Sequence, residues 1–288
     1  GARYVVLERD RIVSTIRSFP PGKKVYAEPQ FVQNHSQLDV NEDSAFEHVR
    51  PATKPIPYPD ASGVDHALWD YLLKSYVTNG LVDYDGMSKD YLFRTYLLEL
   101  SECKPDKLTE KSERLALLIN AYNAFVINGV ISHRIGDSVT NFQQDGLEFF
   151  DVKEHILAGR TMSLNHIEHE LIRKLFEEPR VHVALVCAAR SCPAIRAEAY
   201  TGPRLDAQLA DQSYLFVNDR RYVAQDAATD ELLLSPILNW YGDDWKGEGG
   251  YLRWILERTA DPEVRAALET SLTQEPQIRW NEYDWSLN

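Results

Sequence analysis

Three features of this 288-residue chain predict an α/β fold of the α+β kind, a helix-rich single domain packed on a small β-sheet. Apolar residues recur at helical spacing through the middle of the chain, whereas short Val-rich or alternating runs supply only a few strands. Hydrophobic residues make up 44% of the total, enough for a real core. Gly and Pro number only 14 each and 26% of residues are charged, which excludes disordered, collagenous and coiled-coil classes. With no repeat or linker evident, one domain over residues 63–288 is expected behind an extended N-terminal arm over residues 1–62.

The arm is inferred from seven prolines between Pro20 and Pro59, around a short β-like run from Tyr4 to Leu7. The chain opens Gly1-Ala2-Arg3 with no Met, as a processed or trimmed chain would. Asp65 to Tyr76 places Leu68, Leu72, Leu73 and Tyr76 at helical spacing, and Tyr91 to Leu100 continues that character. Leu115 to Ile131 is apolar at nearly every position, which predicts a helix surrounded by protein. Asn120, Asn123 and Asn128 interrupt it, unlike the unbroken run of a membrane-spanning helix, so no membrane span is expected. Asn120 and Asn123 share a face, and a buried amide must find partners. They either hold a neighbouring loop or line a site.

The next helix, Leu164 to Phe176, starts at a Ser163 cap, with Asn165 and Glu168 offering a second capping register. Turning 100° per residue, Leu164, Ile167, Leu171, Ile172 and Leu175 form an apolar stripe with Glu168 in its middle. A carboxylate is thus aimed at the core, and it needs a raised pKa, an Arg or His partner, or a set of donors. His169 lies on the shoulder of the stripe, while His166 and Glu170 face solvent.

Val181 to Cys187 reads as a short strand buried on both faces, with His182 pointing opposite to Cys187. The chain then runs through Ser191-Cys192-Pro193 into a helix-compatible segment, Ala194 to Tyr200. Pro at the first helical position places Cys192 at the N-cap, where the helix dipole, free N–H groups and Arg190 would stabilise a thiolate. A tight turn or a Cys187–Cys192 disulfide fits the same spacing. Leu205, Leu209 and Phe216 predict another helix, Arg221 to Ala224 with Glu231 to Leu234 a hairpin, Ser235-Pro236 a helix start running to Tyr241, and Asp261-Pro262 a further helix. An aromatic segment, Trp280 to Trp285, closes the chain.

The net charge of −13 argues against a broad nucleic-acid footprint, which needs clustered Lys and Arg. Glycine fingerprints of kinases, dinucleotide enzymes and P-loops are missing. Cys192, His169 and Glu168 instead supply the parts of a cysteine-dependent hydrolase or acyltransferase: nucleophile, base and buried acid. His182, Cys187, Asn120, Asn123 and Ser191 are supporting or alternative members. Glu168 and His169 are consecutive and diverge on a helix, so a direct acid–His pair facing one thiol is not possible. Either another group orients His169, or Glu168 pairs with His182. No cofactor is called for, and the substrate class is a peptide-like or small molecule. A non-catalytic binding or scaffold domain is the alternative, with ligand capture on Trp240, Tyr241 and Trp245. A metal centre through His166, Glu168, His169 and a cysteine is opposed by the helical angles.

The segments LINAYNAFVIN from Leu118, SLNHIEHELIR from Ser163, HVALVCAARSCPAIR from His182, LDAQ from Leu205 and YDWSLN from Tyr283, with Val82-Asp83-Tyr84 and Trp240-Tyr241, resemble the family catalogued as domain of unknown function 547. The resemblance implies a bacterial-type, often exported domain, hence a periplasmic or secreted setting. Its motif residues fall on Asn120, Asn123, Glu168, His169, His182, Cys187, Ser191 and Cys192. A distant likeness to papain-like or transglutaminase-like thiol enzymes would require a rearranged topology, because both histidines precede Cys192.

Overall fold

Asp65 accepts the Ala67 N–H and so starts helix α1, His66–Tyr76, whose Leu68, Trp69, Leu72 and Leu73 are buried. In this computed structural model the described residues are 60–271 and 277–288; they fall within one compact unit, Ile56–Asn288. The expected arm and its β-like run up to residue 59 lie outside the described residues.

A two-residue hairpin, β1 (Val77–Thr78) and β2 (Leu81–Val82), leads to α2 (Tyr84–Lys89) and α3 (Tyr91–Glu102), capped by Asp83 and Asp90. Helix α4, Lys111–Ser132, is the axis of the domain. It is long and apolar enough to cross a membrane by length and composition alone, and 83% of its most apolar window is buried inside the protein. Two hairpins follow: β3 (Gln143–Gln144) with β4 (Leu147–Glu148), and β5 (His155–Leu157) with β6 (Arg160–Met162).

Ser163 Oγ accepts the His166 N–H and opens a composite helix, α5. Its middle seven residues, Ile167–Arg173, form a π-helix between the α-helical ends Leu164–His166 and Lys174–Phe176. Wide π turns of this kind are rare and concentrate at functional sites. Glu168 sits in this stretch.

The predicted strand from Val181 to Cys187 does not form. Pro179–Val183 is a 3₁₀ helix, started by Glu178 and Pro179, and an irregular buried segment continues to residue 200. A short all-apolar run cannot separate strand from buried helix by periodicity, and Pro179 at the first helical position favours the helix. The helix predicted from Ala194 to Tyr200 is absent too. Its backbone groups are taken by side chains: Gln212 bonds Ala194 O, Gln208 bonds Ala199 O, Asp70 accepts the Ala199 N–H, and Asn120 bonds both backbone groups of Tyr200.

Helix α6 (Leu205–Val217) precedes the largest sheet. There β7 (Val223–Asp226) pairs antiparallel with β8 (Glu231–Leu234), and β9 (Ile278–Trp280) adds in parallel to β8. Between β8 and β9 lie α7 (Ile237–Trp240), a 3₁₀ stretch Gly242–Glu248, α8 (Tyr251–Leu256) and α9 (Pro262–Ser271). The result is the helix-rich α+β domain with small sheets that the sequence predicts. Papain-like placement is not seen at the cysteines, since neither starts a helix and His182 lies on no strand.

Two apolar cores meet along the irregular segment. One gathers α1, α3, α4 and Ala184, Leu185 and Val186; the other gathers Val183, Phe216, Trp245, Trp254 and the β7–β8 face. Residues 182–187 therefore run along the seam.

Candidate functional site

At that seam the chain brings together residues from five separate stretches. Asn123, 3% exposed on α4, clamps the segment: its Nδ2 donates to Ala184 O and its Oδ1 accepts the Val186 N–H, both at 3.0 Å. The side-chain amide thus does for residues 184–186 what a neighbouring strand would do. Asn120, one turn earlier, does the same for Tyr200. Both asparagines hold loops, and Asn123 holds the loop that carries His182 and Cys187.

Glu168 is buried as its place in the stripe requires, and of the three solutions open to it the structure uses donors. Tyr122 Oη donates to Glu168 Oε2 at 3.0 Å, and Tyr241 also hydrogen-bonds the carboxylate. Burial first, and the Glu168 charge second, push both tyrosine hydroxyls well above their ordinary range, so they stay protonated as donors.

His182 does not pair with Glu168. Its Nε2–H donates to Asp244 Oδ2 at 2.7 Å, and its ring stacks on Tyr241 with centroids 3.9 Å apart. Burial pulls the imidazole down, against the pull of Asp244. Asp244 also takes a two-pronged bond from Arg173, through Nε at 2.7 Å and Nη2 at 2.9 Å. These two partners, His182 first, hold the Asp244 carboxyl well below the usual carboxylate range.

His169 stands apart from the sulfur atoms. Its Nδ1 accepts from Arg173 Nη1 at 2.8 Å, and its ring makes no hydrogen bond to either cysteine. The sequence-based pairing of His169 with Cys192 is not what the geometry presents, because α5 turns that ring toward Arg173.

Cys187 and Cys192 are joined as a disulfide, Cα atoms 6.0 Å apart, which decides between the alternatives left open by their spacing. Cys192 lies in a turn, is 5% exposed, and has no helix dipole behind it, so that source of thiolate stabilisation is lost. A local donor remains: the Cys187 N–H meets Cys192 Sγ at 2.7 Å. Cys187 is the half-buried partner, and Tyr283 Oη lies 3.1 Å from its Sγ. A disulfide sulfur has no proton to give, so Tyr283 donates. Cys103, the third cysteine, is buried away from the cluster in contact with the Ala158 backbone, and burial pushes its thiol up to about 11.

The C-terminal tail secures this loop. Arg190 N–H bonds Ser286 O at 2.9 Å, Ser191 N–H bonds Asp284 O at 3.2 Å, Ser191 Oγ accepts the Asp284 N–H at 2.8 Å, and Asn288 N–H reaches Ala188 O. Tyr84 Oη fixes Asn288 Oδ1 at 2.7 Å, which ties the Val82-Asp83-Tyr84 motif to the Tyr283–Asn288 motif. Ser191 is therefore a tail anchor. Tyr283 and Trp285, with half-exposed Trp240, form an aromatic cluster over Cys187, ring centroids 4.6 to 6.2 Å apart.

Asp244, Arg173, Tyr122 and Tyr283 were not singled out as site residues from sequence, and Tyr241 was named only for ligand capture in the binding-domain alternative. Tyr122, Arg173, Tyr241 and Tyr283 all lie inside its motifs, and that is the signal by which these four could be found; Asp244 lies in none of them. Among the described residues no group of three His, Cys, Asp or Glu is gathered to hold a metal ion. No curated protein and no solved structure matches the chain. The stretch that carries α4, Glu168, His182 and both paired cysteines, residues 105–217, matches the model of the family described as protein of unknown function, DUF547.

Proposed function

We propose that the protein is a cysteine-dependent hydrolase or acyltransferase acting on a peptide-like or small acyl substrate, and that its nucleophile is Cys187 once the disulfide is opened. What supports this most is the contact of half-buried Cys187 Sγ with Tyr283 Oη at 3.1 Å, beside a buried carboxylate held by tyrosine hydroxyls. Cys187 replaces Cys192 as the acting thiol because Cys192 is sealed from solvent. The thiol proton leaves by way of Tyr283, which lies within the field of Glu168, and Glu168 serves as the acid/base group in place of His169. His182, held by Asp244 and stacked on Tyr241, keeps the wall of the site rigid.

The test is to reduce the protein, quench small aliquots with iodoacetamide, and follow turnover of a panel of activated esters, thioesters and peptide anilides. Cys187 is expected to alkylate faster than a model thiol. Cys187→Ala should abolish turnover, and Glu168→Gln should lower kcat by about 100-fold, the range of a lost general acid/base. Undiminished turnover in Cys187→Ala, with the fold intact by circular dichroism, sinks the proposal.

A further inference from the structure

The two sulfurs of the Cys187–Cys192 pair are unequal, and acyl transfer gives the bond between them no part. Cys187 is half-buried and faces a hydroxyl donor, whereas Cys192 is buried and receives a backbone N–H. The bond joins residues only five positions apart and closes over Ala188 in the left-handed region, φ +59. Ala188 O, Arg190 N and Ser191 N are bound by the tail rather than by a helix or sheet of their own. An outer sulfur that can be attacked, an inner sulfur with a donor for its charge, and a loop braced from outside are the parts of a thiol–disulfide exchange centre.

We propose that Cys187–Cys192 is such a centre and oxidises thiols of another molecule, either two thiols of one peptide or two of a small thiol. An incoming thiolate attacks Cys187 Sγ in line with the disulfide; a bond forms between the substrate sulfur and Cys187 while the Cys187–Cys192 bond breaks. The electron pair leaves on Cys192 Sγ, where the Cys187 N–H holds it until it takes a proton. A second substrate thiolate then attacks the substrate sulfur of the mixed disulfide. Substrate leaves as a disulfide, and Cys187 departs as a thiolate protonated through Tyr283. Two substrate thiols lose two electrons and two protons, and the protein gains both as two thiols. Cys103 takes no part, being buried with its thiol pushed up to about 11.

The exchange needs no acyl substrate, so its failure and that of the acyl-transfer proposal are separable. Oxidised wild-type protein is mixed with reduced glutathione in native buffer, quenched in acid, and mapped by mass spectrometry; oxidation of a dithiol peptide is followed in parallel. Native reduction and a glutathione adduct on Cys187 are expected; Cys192→Ser, which holds no disulfide, is mixed with glutathione disulfide instead, and there the Cys187 thiolate should displace glutathione thiolate and the adduct should accumulate. Tyr283→Phe should slow the step that releases Cys187 about tenfold, as expected for a lost hydrogen bond to a charged group. Should Cys192→Ser fail to fold, the wild-type adduct map carries the same information. A pair that opens only when the protein is unfolded in urea, or an adduct found on Cys192, overturns the proposal. Exchange without acyl turnover would leave this centre standing alone, and acyl turnover by a protein whose disulfide resists native thiols would remove it.

Discussion

Replacing Asn123 by Ala separates the two halves of a clamp that no other group can supply. The side chain satisfies one buried carbonyl and one buried N–H, Ala184 O and Val186 N, each at 3.0 Å, on a segment with no strand partner. Leaving a buried donor or acceptor unpaired costs about 1–3 kcal/mol, so the pair should cost roughly 2–6 kcal/mol, before any void left by the amide. Partial relaxation of the loop brings the expectation to about 3–4 kcal/mol. In urea that is a midpoint lower by roughly 1–2 M. Asn128→Ala is the control, because Asn128 on the same helix meets only Ser132 Oγ at 3.4 Å on an exposed face; it should stay within about 0.5 kcal/mol of wild type. His182 and Cys187 flank the clamp, so thiol exchange should fall along with stability in Asn123→Ala. A loss below about 1 kcal/mol, or an equal loss in Asn128→Ala, would show that residues 184–186 find their partners elsewhere and that the clamp is not what holds the loop.

Three further outcomes follow from the structure. His155 is buried against Phe125 with neither ring nitrogen hydrogen-bonded, and burial, against the pull of Glu154 Oε1 3.9 Å from Nε2, brings its pKa from 6.5 down to about 4. Above pH 6.5 the ring is neutral in both states and contributes nothing to pH dependence; as pH falls from 6.5 to 4 only the unfolded chain takes the proton, so stability drops by about 3 kcal/mol. Urea melts at pH 7 and pH 4.5 should show this loss, reduced in His155→Phe; an unchanged slope in that variant would clear His155 of the effect. Gly80→Ala introduces a methyl 2.6 Å from Ala194 Cβ at a residue with φ +78, and should lower stability by about 1–3 kcal/mol in the same melts, whereas open Gly146→Ala should suffer only its backbone strain. Asp244→Ala strands buried His182 and Arg173 together; with the Arg173 and Asp244 side chains 27% and 26% exposed we expect about 2 kcal/mol, read as a lower thermal midpoint, and a rise in the His182 pKa would contradict the assigned contact.

How much of this was legible in sequence depends on whether the signal was local. The cap at Ser163 and the inward Glu168 follow from neighbours within one helical turn, and they are found where expected. Asp244 meets His182 across 62 positions and Tyr283 meets Cys187 across 96, which no periodicity encodes. The strand and helix expected around the cysteines were lost for a different reason. Apolar composition announces burial without specifying the backbone path, and here the path is irregular from residue 184 to residue 200.

An irregular buried chain must still satisfy its N–H and C=O groups, and where the backbone of the C-terminal tail does not reach, side chains do so. Along this segment Asn123, Gln212, Gln208 and Asn120 serve in order, at residues 184 and 186, 194, 199 and 201, and 200. All four are buried on helices α4 and α6, where an apolar residue would otherwise pack. Amides on the core faces of two helices are therefore the local trace, in sequence, of a non-local feature: a buried loop that has given up regular structure. Such a loop can hold two sulfurs, a histidine and a positive-φ alanine in a geometry neither helix nor sheet permits. Asn120 and Asn123 were visible from the first; what they marked was the buried loop that holds His182 and the paired cysteines, rather than the wall of a pocket.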